Sequence, residues 1–498
     1  MPRFLLVSLN VEAILQEPTI RRRREQLRMM ANRLSLEDVY GATLGRIKAQ
    51  GGERSRLGIM ALMWICHSER PLEADELCHA LAVEIGSTDF DLENVPSIRT
   101  VLSCCQGLVV VDKEGSTVRL VHFTLREYLA SRPNLFQRPH SVIAETCLTY
   151  LNSQQVMTPS ATLLLDIPAV PFLRYSALYW GTHGKRELSD DAKSLALKLL
   201  VRYDNHISIR LLLGSQYAGF YSSSGFSMFT GLHCVSFFGI VEVVRSLMET
   251  GGFDINQGDF MGITPLGWAA KSGHEEVVQL LLGWGNIKPD RSDAYGRTPL
   301  SHAGGNGHEG VVRLLLGRGD VNPDSLDANG RAPLFHAGRN GHEGVVRLLL
   351  GRGGVDPDRL DWLCRTALAY AAMNGHEGVV RLLLRRGDVN PDRPDSHGRT
   401  PLSHAGGNGH EGVVRLLLGR GDVDPDSPDT NGRAPLSHAG GNGHEGVVRL
   451  LLGRGGVDPD RLDWLCRSPL AYATMNGHEG VVHLLLRSGM STPIGETT

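Results

Sequence analysis

The pair His-Glu recurs at His274, His308, His342, His376, His410, His444 and His478, each copy 34 residues after the last. A fixed period of this length restricts the region to a solenoid of stacked units. The unit starting at Asp293 reads DAYGRTPLSHAGGNGHEGVVRLLLGRGDVNPDSL. Thr298-Pro299 opens a helix: the hydroxyl caps free N–H groups, and proline loses nothing at the first helical position. Gly307 ends this helix as a residue free to adopt positive φ. A second helix is predicted from Glu309 to Gly317. Its Val311, Val312, Leu314, Leu315 and Leu316 are too apolar for a solvent-facing helix and require cover from two neighbours. Gly319 closes it, and Asp320 to Asn329, with Pro323 inside, is a turn-rich connector. Burial of five aliphatic side chains does not offset the ordering of the whole unit, so stability must come from the array.

The pattern TPL-x-x-A…GH-x-x-VV-x-LLL-x-x-G resembles the ankyrin repeat. Eight units match, with TPL-like positions beginning at Thr230, Thr264, Thr298, Ala332, Thr366, Thr400, Ala434 and Ser468. The usual ankyrin unit is one residue shorter, and its histidine after TPL survives only as His233. Ala332 and Ala434 lack the capping hydroxyl, at about 1 kcal/mol each. Cys364 and Cys466 stand at a turn position where other units carry glycine, so a positive φ there would strain both turns. Residues 327–388 and 429–490 align without gaps and differ at nine of 62 positions, and WLCR recurs at Trp362 and Trp464. Three units have been copied as a block.

The resemblance implies a partner on the concave side, touching the connector tips and the first helices. The tip positions are Tyr295 and Arg297, Asn329 and Arg331, Trp362 and Arg365, His397 and Arg399, Asn431 and Arg433, and Trp464 and Arg467. The end-of-helix positions are Lys271, Asn306, Arg339, Met373, Asn408, Asn442 and Met475. The arginines form a ladder at the repeat spacing. Two readings stand: the forks meet an acidic partner, or each pairs with the aspartate four residues earlier, such as Asp293, Asp327 or Asp361. Trp362 and Trp464 either anchor an interface or cover the neighbouring unit.

The remaining composition bounds the chemistry. The net charge of −3 points to neither a nucleic-acid binder nor an acidic tail. The eight cysteines are dispersed without CxxC spacing, which suits reduced thiols and no zinc site. The columns of His308 and its equivalents, and of His302, His336, His404 and His438, are expected to pack and hydrogen-bond rather than bind metal. Asp422, Asp424 and Asp426 suggest a calcium loop, but Ser427 replaces the required glycine and Arg433 the bidentate glutamate. No stretch is apolar enough to span a membrane. MPRFLLVSLNVEAILQ is expected to form a buried amphipathic helix, and Arg21 to Arg24 a solvated helix face or a nuclear signal.

In the N-terminal half, helical patterns fill 36–68, then Leu72 to Val83 and Pro96 to Cys105. Strands are predicted at Leu108–Val111 and Thr117–Val121, with Lys113-Glu114-Gly115 as the turn between them, and HFTLREYLAS forms a closing helix. Three helices followed by a hairpin describe a winged helix. Its groove-facing helix, Ser97 to Cys105, has one basic residue, Arg99, too little charge to anchor on phosphates. The segments LSLEDVYG, ERPLEADELCHALA, LVHFTLREYL and FLRYSALYWGTHGKRELS make residues 4–215 resemble the winged helix that follows the nucleotide-binding core in fungal NACHT-type, NLR-like proteins. In such sensors the histidine of a Met-His-Asp motif touches nucleotide. Val121-His122-Phe123 matches only at the histidine, and His122 is expected to be a strand-end packing residue. GxxxxGK[ST] is missing, since Gly184-Lys185 runs into Arg186. No GxSxG elbow, HExxH or kinase signature is found.

The expected architecture is mainly α, an ankyrin-repeat solenoid preceded by a winged-helix domain and a helical linker. Residues 1–54 are read as a helical remnant following a missing NTPase core, 55–135 as the winged helix, and 136–225 as the linker. Tyr175, Tyr179 and Trp180 bury the linker's junction, and Tyr217 to Phe229 is a hinge. Residues 226–491 form the array and 492–498 a disordered tail. The expected function is a non-enzymatic protein-interaction scaffold, the recognition part of an NLR-like sensor, without cofactor or metal. The expected compartment is the cytoplasm, with the nucleus open. The alternatives are a P-loop NTPase signalling protein whose core is absent from this chain, and a winged-helix nucleic-acid adaptor.

Overall fold

The computed structural model describes residues 18–25, 36–112, 116–157, 170–216 and 228–489. The expectations for the N-terminal amphipathic helix, the turn at 113–115, most of the hinge and the tail lie outside them. The chain divides into two compact units, Met1–Gly251 and Gly252–Thr498.

In the first unit, α1 (Leu36–Ala49) and α2 (Gly52–His67) are separate helices. The break falls at Gly51 and Gly52, both at positive φ, a conformation that glycine enters without a Cβ penalty. β1 (Leu72–Glu73) precedes α3 (Ala74–Ala82), α4 (Ile98–Cys104), β2 (Val109–Val111), β3 (Thr117–Leu120) and α5 (Phe123–Ala130). The two-residue β1, read in the sequence as the start of a helix, pairs antiparallel with β3, giving the sheet order β1-β3-β2. Helix α3 starts two residues later because Glu73 and Glu76 form a reciprocal capping box. This is a winged helix, followed by α6 (Pro139–Leu151), α7 (Leu173–Arg186), α8 (Asp190–Leu200) and α9 (Ser208–Gln216).

An aromatic core ties these helices together. Trp64 of α2 meets Phe172 and Tyr175 edge-on at 5.5 and 5.8 Å. The first ankyrin-type pair, α10 (Gly231–Phe238) and α11 (Val241–Thr250), belongs to this compact unit and not to the second. Trp180 and Phe238 meet at 5.3 Å, and a Cβ at Gly181 would fall 2.1 Å from the Phe238 ring. A bare backbone on α7 therefore lets α10 seat.

The second unit repeats one helix pair. The first helices are α12 (Pro265–Ser272), α14 (Pro299–Gly305), α16 (Pro333–Arg339), α18 (Ala367–Met373), α20 (Pro401–Gly407), α22 (Pro435–Gly441) and α24 (Pro469–Met475). The second helices are α13 (Glu275–Leu282), α15 (Glu309–Leu316), α17 (Glu343–Leu350), α19 (Glu377–Leu384), α21 (Glu411–Leu418), α23 (Glu445–Leu452) and α25 (Glu479–Gly489). First helices pack on first helices and second on second. Most of the aliphatic columns are shut from solvent: Val311, Val312 and Leu315 are fully buried, as are Val345, Val346 and Leu349, and so on to Val447, Val448 and Leu451, whereas Leu314, and Val482 of the last repeat, are half-buried. Thr298 Oγ1 accepts the Ser301 N–H at 3.2 Å, whereas Ala332 and Ala434 leave their helices without a side-chain cap. Cys364 and Cys466 have φ of 55°, the strained turn that the glycine register implies.

Candidate partner-binding surface

Each repeat from Asp259 onward opens with an aspartate that organises its tip. Asp293 Oδ1 accepts the backbone N–H of Tyr295 (2.9 Å) and Arg297 (2.8 Å), and Asp327, Asp361, Asp395, Asp429 and Asp463 repeat the arrangement. The other oxygen, Oδ2, takes a bond from the residue nine positions later. That residue is Trp268 for Asp259, His302 for Asp293, His336 for Asp327, Tyr370 for Asp361, His404 for Asp395, His438 for Asp429 and Tyr472 for Asp463. Indole, imidazole and phenol share one property, a ring-borne proton donor. The second histidine column is therefore a row of donors to buried carboxylates.

Burial pulls His302 and His438 below the ordinary histidine value and takes His404 down to about 4, so they donate as neutral rings. Burial pushes Asp293 and Asp395 up. Hydrogen bonds outweigh it, from His302 and backbone N–H groups at Asp293 and from backbone N–H groups and Arg365 at Asp395, and hold both below the usual carboxylate range.

The same aspartates hold the arginine ladder, one unit out of the expected step. Arg331 Nε lies 3.3 Å from Asp361 Oδ2, Arg365 Nε 3.1 Å from Asp395, Arg399 Nε 3.8 Å from Asp429 and Arg433 Nε 3.7 Å from Asp463. The guanidinium pairs with the aspartate of the following unit, while the aspartate four residues earlier takes only the arginine's backbone N–H. The side chains of Arg331 and Arg365 are 19% exposed, and these pairs stitch the stack. Arg297 stacks on Tyr295 instead, its guanidinium carbon 5.9 Å from the ring centre. Arg467 lies at the same distance from Tyr472.

Two more columns are consumed between units. Asn306 Nδ2 and His308 Nε2 both reach the Lys271 carbonyl at the end of the preceding first helix, at 3.2 and 2.9 Å. Asn408 with His410 reaches Met373, and Asn442 with His444 reaches Gly407, in the same way. Asn306, Asn408 and Asn442 are thus staples one position beyond the column of Lys271, Arg339, Met373 and Met475. A Cβ at Gly307 would lie 2.6 Å from His342 Nδ1, so glycine there serves both its φ of 79° and the histidine stacked on it. The aspartates of the suspected calcium loop also have protein partners: Asp422 pairs with Arg420 at 2.5 Å and Asp426 with Arg461 at 2.6 Å.

Backbone bonds join successive tips. The Trp362 N–H reaches the Asn329 carbonyl at 3.0 Å, the Ser396 N–H reaches Leu363 at 2.9 Å, and the Trp464 N–H reaches Asn431 at 3.1 Å. This register moves the tryptophans. Trp362 and Trp464 align with Ala294, Ala328, Ser396 and Thr430, while Leu363 and Leu465 share the column of Tyr295, Asn329, His397 and Asn431. Trp362 rests one edge on the Gly330 backbone and Trp464 on Gly432, yet they stay 74% and 77% exposed. Tyr295, His397, Arg339 and Met475 are exposed and Met373 is half-buried. Arg331, Arg339 and Arg365 surround Tyr370, their guanidinium carbons 5.5 to 5.9 Å from its ring centre.

In the first unit, His122 is the N-cap of α5. Its Nδ1 accepts the Thr124 N–H at 3.3 Å, a helix-starting role in place of the strand-end packing expected. Arg119 pairs with Asp112 at 3.3 Å. No helix among the described residues is long and apolar enough to cross a membrane.

Comparison with known proteins places these features. The model of the winged helix domain of GPI inositol-deacylase matches residues 47–137. The ankyrin repeat model, built of three copies, matches residues 196–293, 286–361, 353–429 and 409–494, more than half of the chain. Azaphilone pigments biosynthesis cluster protein L of Monascus ruber is 27% identical over 165 residues, 29% of this chain. The match spans about a third (34%) of that protein's length. A crystal structure of the ankyrin repeat domain of Bcl-3, described as a member of the IkappaB protein family, is 30% identical, with a TM-score of 0.40. It covers 45% of this chain and 98% of that one. With an ankyrin match over more than half its length and a repeat bonded unit to unit as described, this chain belongs to the ankyrin repeat family.

Proposed function

We propose that the chain is a protein-interaction scaffold, the recognition part of an NLR-like sensor of fungal type, with its partner on the concave face and tips of the array. The observation that carries the reading is a division of labour among side chains. The aspartates, the second histidine column, the asparagines and most of the arginine ladder are spent within the stack. Tyr295 and His397 remain exposed in the tip column, and Arg339 and Met475 in the end-of-helix column. A rigid row of mixed aromatic, cationic and thioether groups suits a protein surface. Arg339, which has no equivalent arginine in the duplicated block, adds a cation beside Arg331 and Arg365 and favours an acidic segment of the partner. The sensor reading is supported by the chain order, in which a winged helix and helical linker precede the array.

The test compares the intact chain with a variant carrying Arg339→Glu, Met373→Glu and Met475→Glu. Both are crosslinked in cells, and the attached proteins are identified by mass spectrometry. Loss of a defined set of proteins, at unchanged helical circular dichroism, is expected. Identical sets from both chains would exclude this face.

A further inference from the structure

The two WLC tips are the most exposed apolar features of the array, and they are duplicates. Leu360, Trp362 and Leu363 recur as Leu462, Trp464 and Leu465, and all six are exposed. The nine differences between the duplicated blocks fall outside residues 355–365 and 457–467, so the tips are chemically identical. Both belong to the same compact unit, three repeats apart. With helix layers packed about 8–10 Å apart, that is about 30 Å.

We propose that two copies of this chain associate about a two-fold axis with their arrays antiparallel. Each Trp362 tip sits against the Trp464 tip of the second copy. An isologous contact requires that if one patch meets another, the reverse contact also forms. Two identical tips on one rigid stack meet this requirement at both ends, because their separation is the same in each copy. A ligand binding one tip alone would leave its duplicate uncovered. Charge opposes the arrangement little: each tip has three aspartates (Asp356, Asp358 and Asp361, or Asp458, Asp460 and Asp463) against two arginines (Arg359 and Arg365, or Arg461 and Arg467), and the buried Asp361 and Asp463 are already paired with Arg331 and Arg433 of the preceding repeat. Two tips offer on the order of 600 Å² of apolar surface per copy, approaching the ~800 Å² per partner of a stable interface. The two polar tips between them, in which His397 comes opposite Asn431 of the second copy, supply the remainder.

The tips carry their own reporters. Cys364 and Cys466 are exposed, Cys66 is half-buried, and the other free thiols are buried. In an antiparallel pair each tip thiol faces the opposite tip's thiol, whereas a parallel pair would set like against like. The experiment uses the full chain in sedimentation velocity and with a short bismaleimide. The intact chain is expected to sediment at twice the monomer mass and to crosslink into a dimer. Cys364→Ser alone and Cys466→Ser alone are each expected to lose the crosslink, because every remaining tip thiol faces serine. Mixing the two variants is expected to restore it. Trp362→Ala with Trp464→Ala should return the monomer mass without loss of helical signal. A monomer at all concentrations, or crosslinking of Cys364→Ser to itself, would overturn the proposal. The scaffold reading is independent: a monomer that still loses partners through the Arg339, Met373 and Met475 substitutions removes the dimer alone.

Discussion

At the residue scale, the aspartate that opens each unit carries most of the polar structure. Asp395 is a representative case. It accepts two backbone N–H groups of its own tip, the His404 ring, and Arg365 from the preceding unit. Asp395→Ala would strand a histidine and a guanidinium in a buried setting, where removing one member of a pair costs several kcal/mol. The expected loss is roughly 3 kcal/mol, read as a lower urea midpoint for the array. Asp320→Ala is the control. Asp320 binds Arg318 at 2.6 Å in solvent and should leave the midpoint where it is. Equal effects from the two substitutions would show that the aspartate column is not the keystone of the stack. The column was readable in principle. Seven of the eight units, all but the first, have Asp followed nine residues later by His, Tyr or Trp, and the regularity of that spacing was the signal.

At the element scale, the helices were legible because their determinants are local. Thr298-Pro299, Gly307 and the Val-Val-x-x-Leu-Leu pattern act within one unit, and the structure places caps, turn and buried face where they indicate. What failed to show was anything set by the stacking offset. The arginine ladder pairs forward by one unit, the Trp362 column lies one residue from the Leu363 column, and Asn306 bonds backward to Lys271. No single unit encodes how far its neighbour is displaced. Likewise β1 is only two residues long, too short for alternation to appear, and exists because β3 lies beside it.

The histidine column also predicts a pH response at this scale. His404 has a folded value of about 4, against about 6.5 when unfolded. As pH falls from 6.5 towards 4, the unfolded chain takes up a proton that the folded array refuses. Stability therefore drops through that window, at up to about 1.4 kcal/mol per pH unit for each such histidine. His302 and His438 shift in the same direction. The contribution of Asp395, whose folded value is lowered, is lost below that window as the carboxylate protonates. Replacing His302, His404 and His438 by tyrosine, the donor used at Tyr370 and Tyr472, keeps the bond to aspartate and removes the titration. Between pH 7 and 4.5 the urea midpoint of the array transition should fall more steeply for the natural chain than for the variant, because His183 and His206 of the first compact unit, also lowered by burial, are unchanged in both. Parallel slopes would locate the acid sensitivity elsewhere.

At the scale of the whole molecule, stability in a stack is a sum over units and the contacts between neighbours, because each unit touches only those beside it. The duplication gives this a direct test. Asp361 and Asp463 occupy the same position of the repeat, and their tips are identical through Arg365 and Arg467. Deleting residues 361–462 therefore joins Leu360 to Asp463 across a junction the chain already makes at Leu462–Asp463. Asp463 can then receive Arg331, as Asp361 does now, and Tyr472 can take the place of Tyr370 beneath it. His478 and Asn476 would reach Arg339 in place of Gly441, through a backbone carbonyl that any residue supplies. The aspartate, tyrosine, asparagine and histidine bonds at the new junction would thus all find partners. The shortened chain should fold with the same helical signal per residue and a single array transition. Its urea midpoint should be lower, and its denaturant dependence reduced in proportion to the surface removed. A deletion product without helical structure would mean that the array depends on contacts beyond nearest neighbours, and that the copying of three-unit blocks is not a neutral way to change its length.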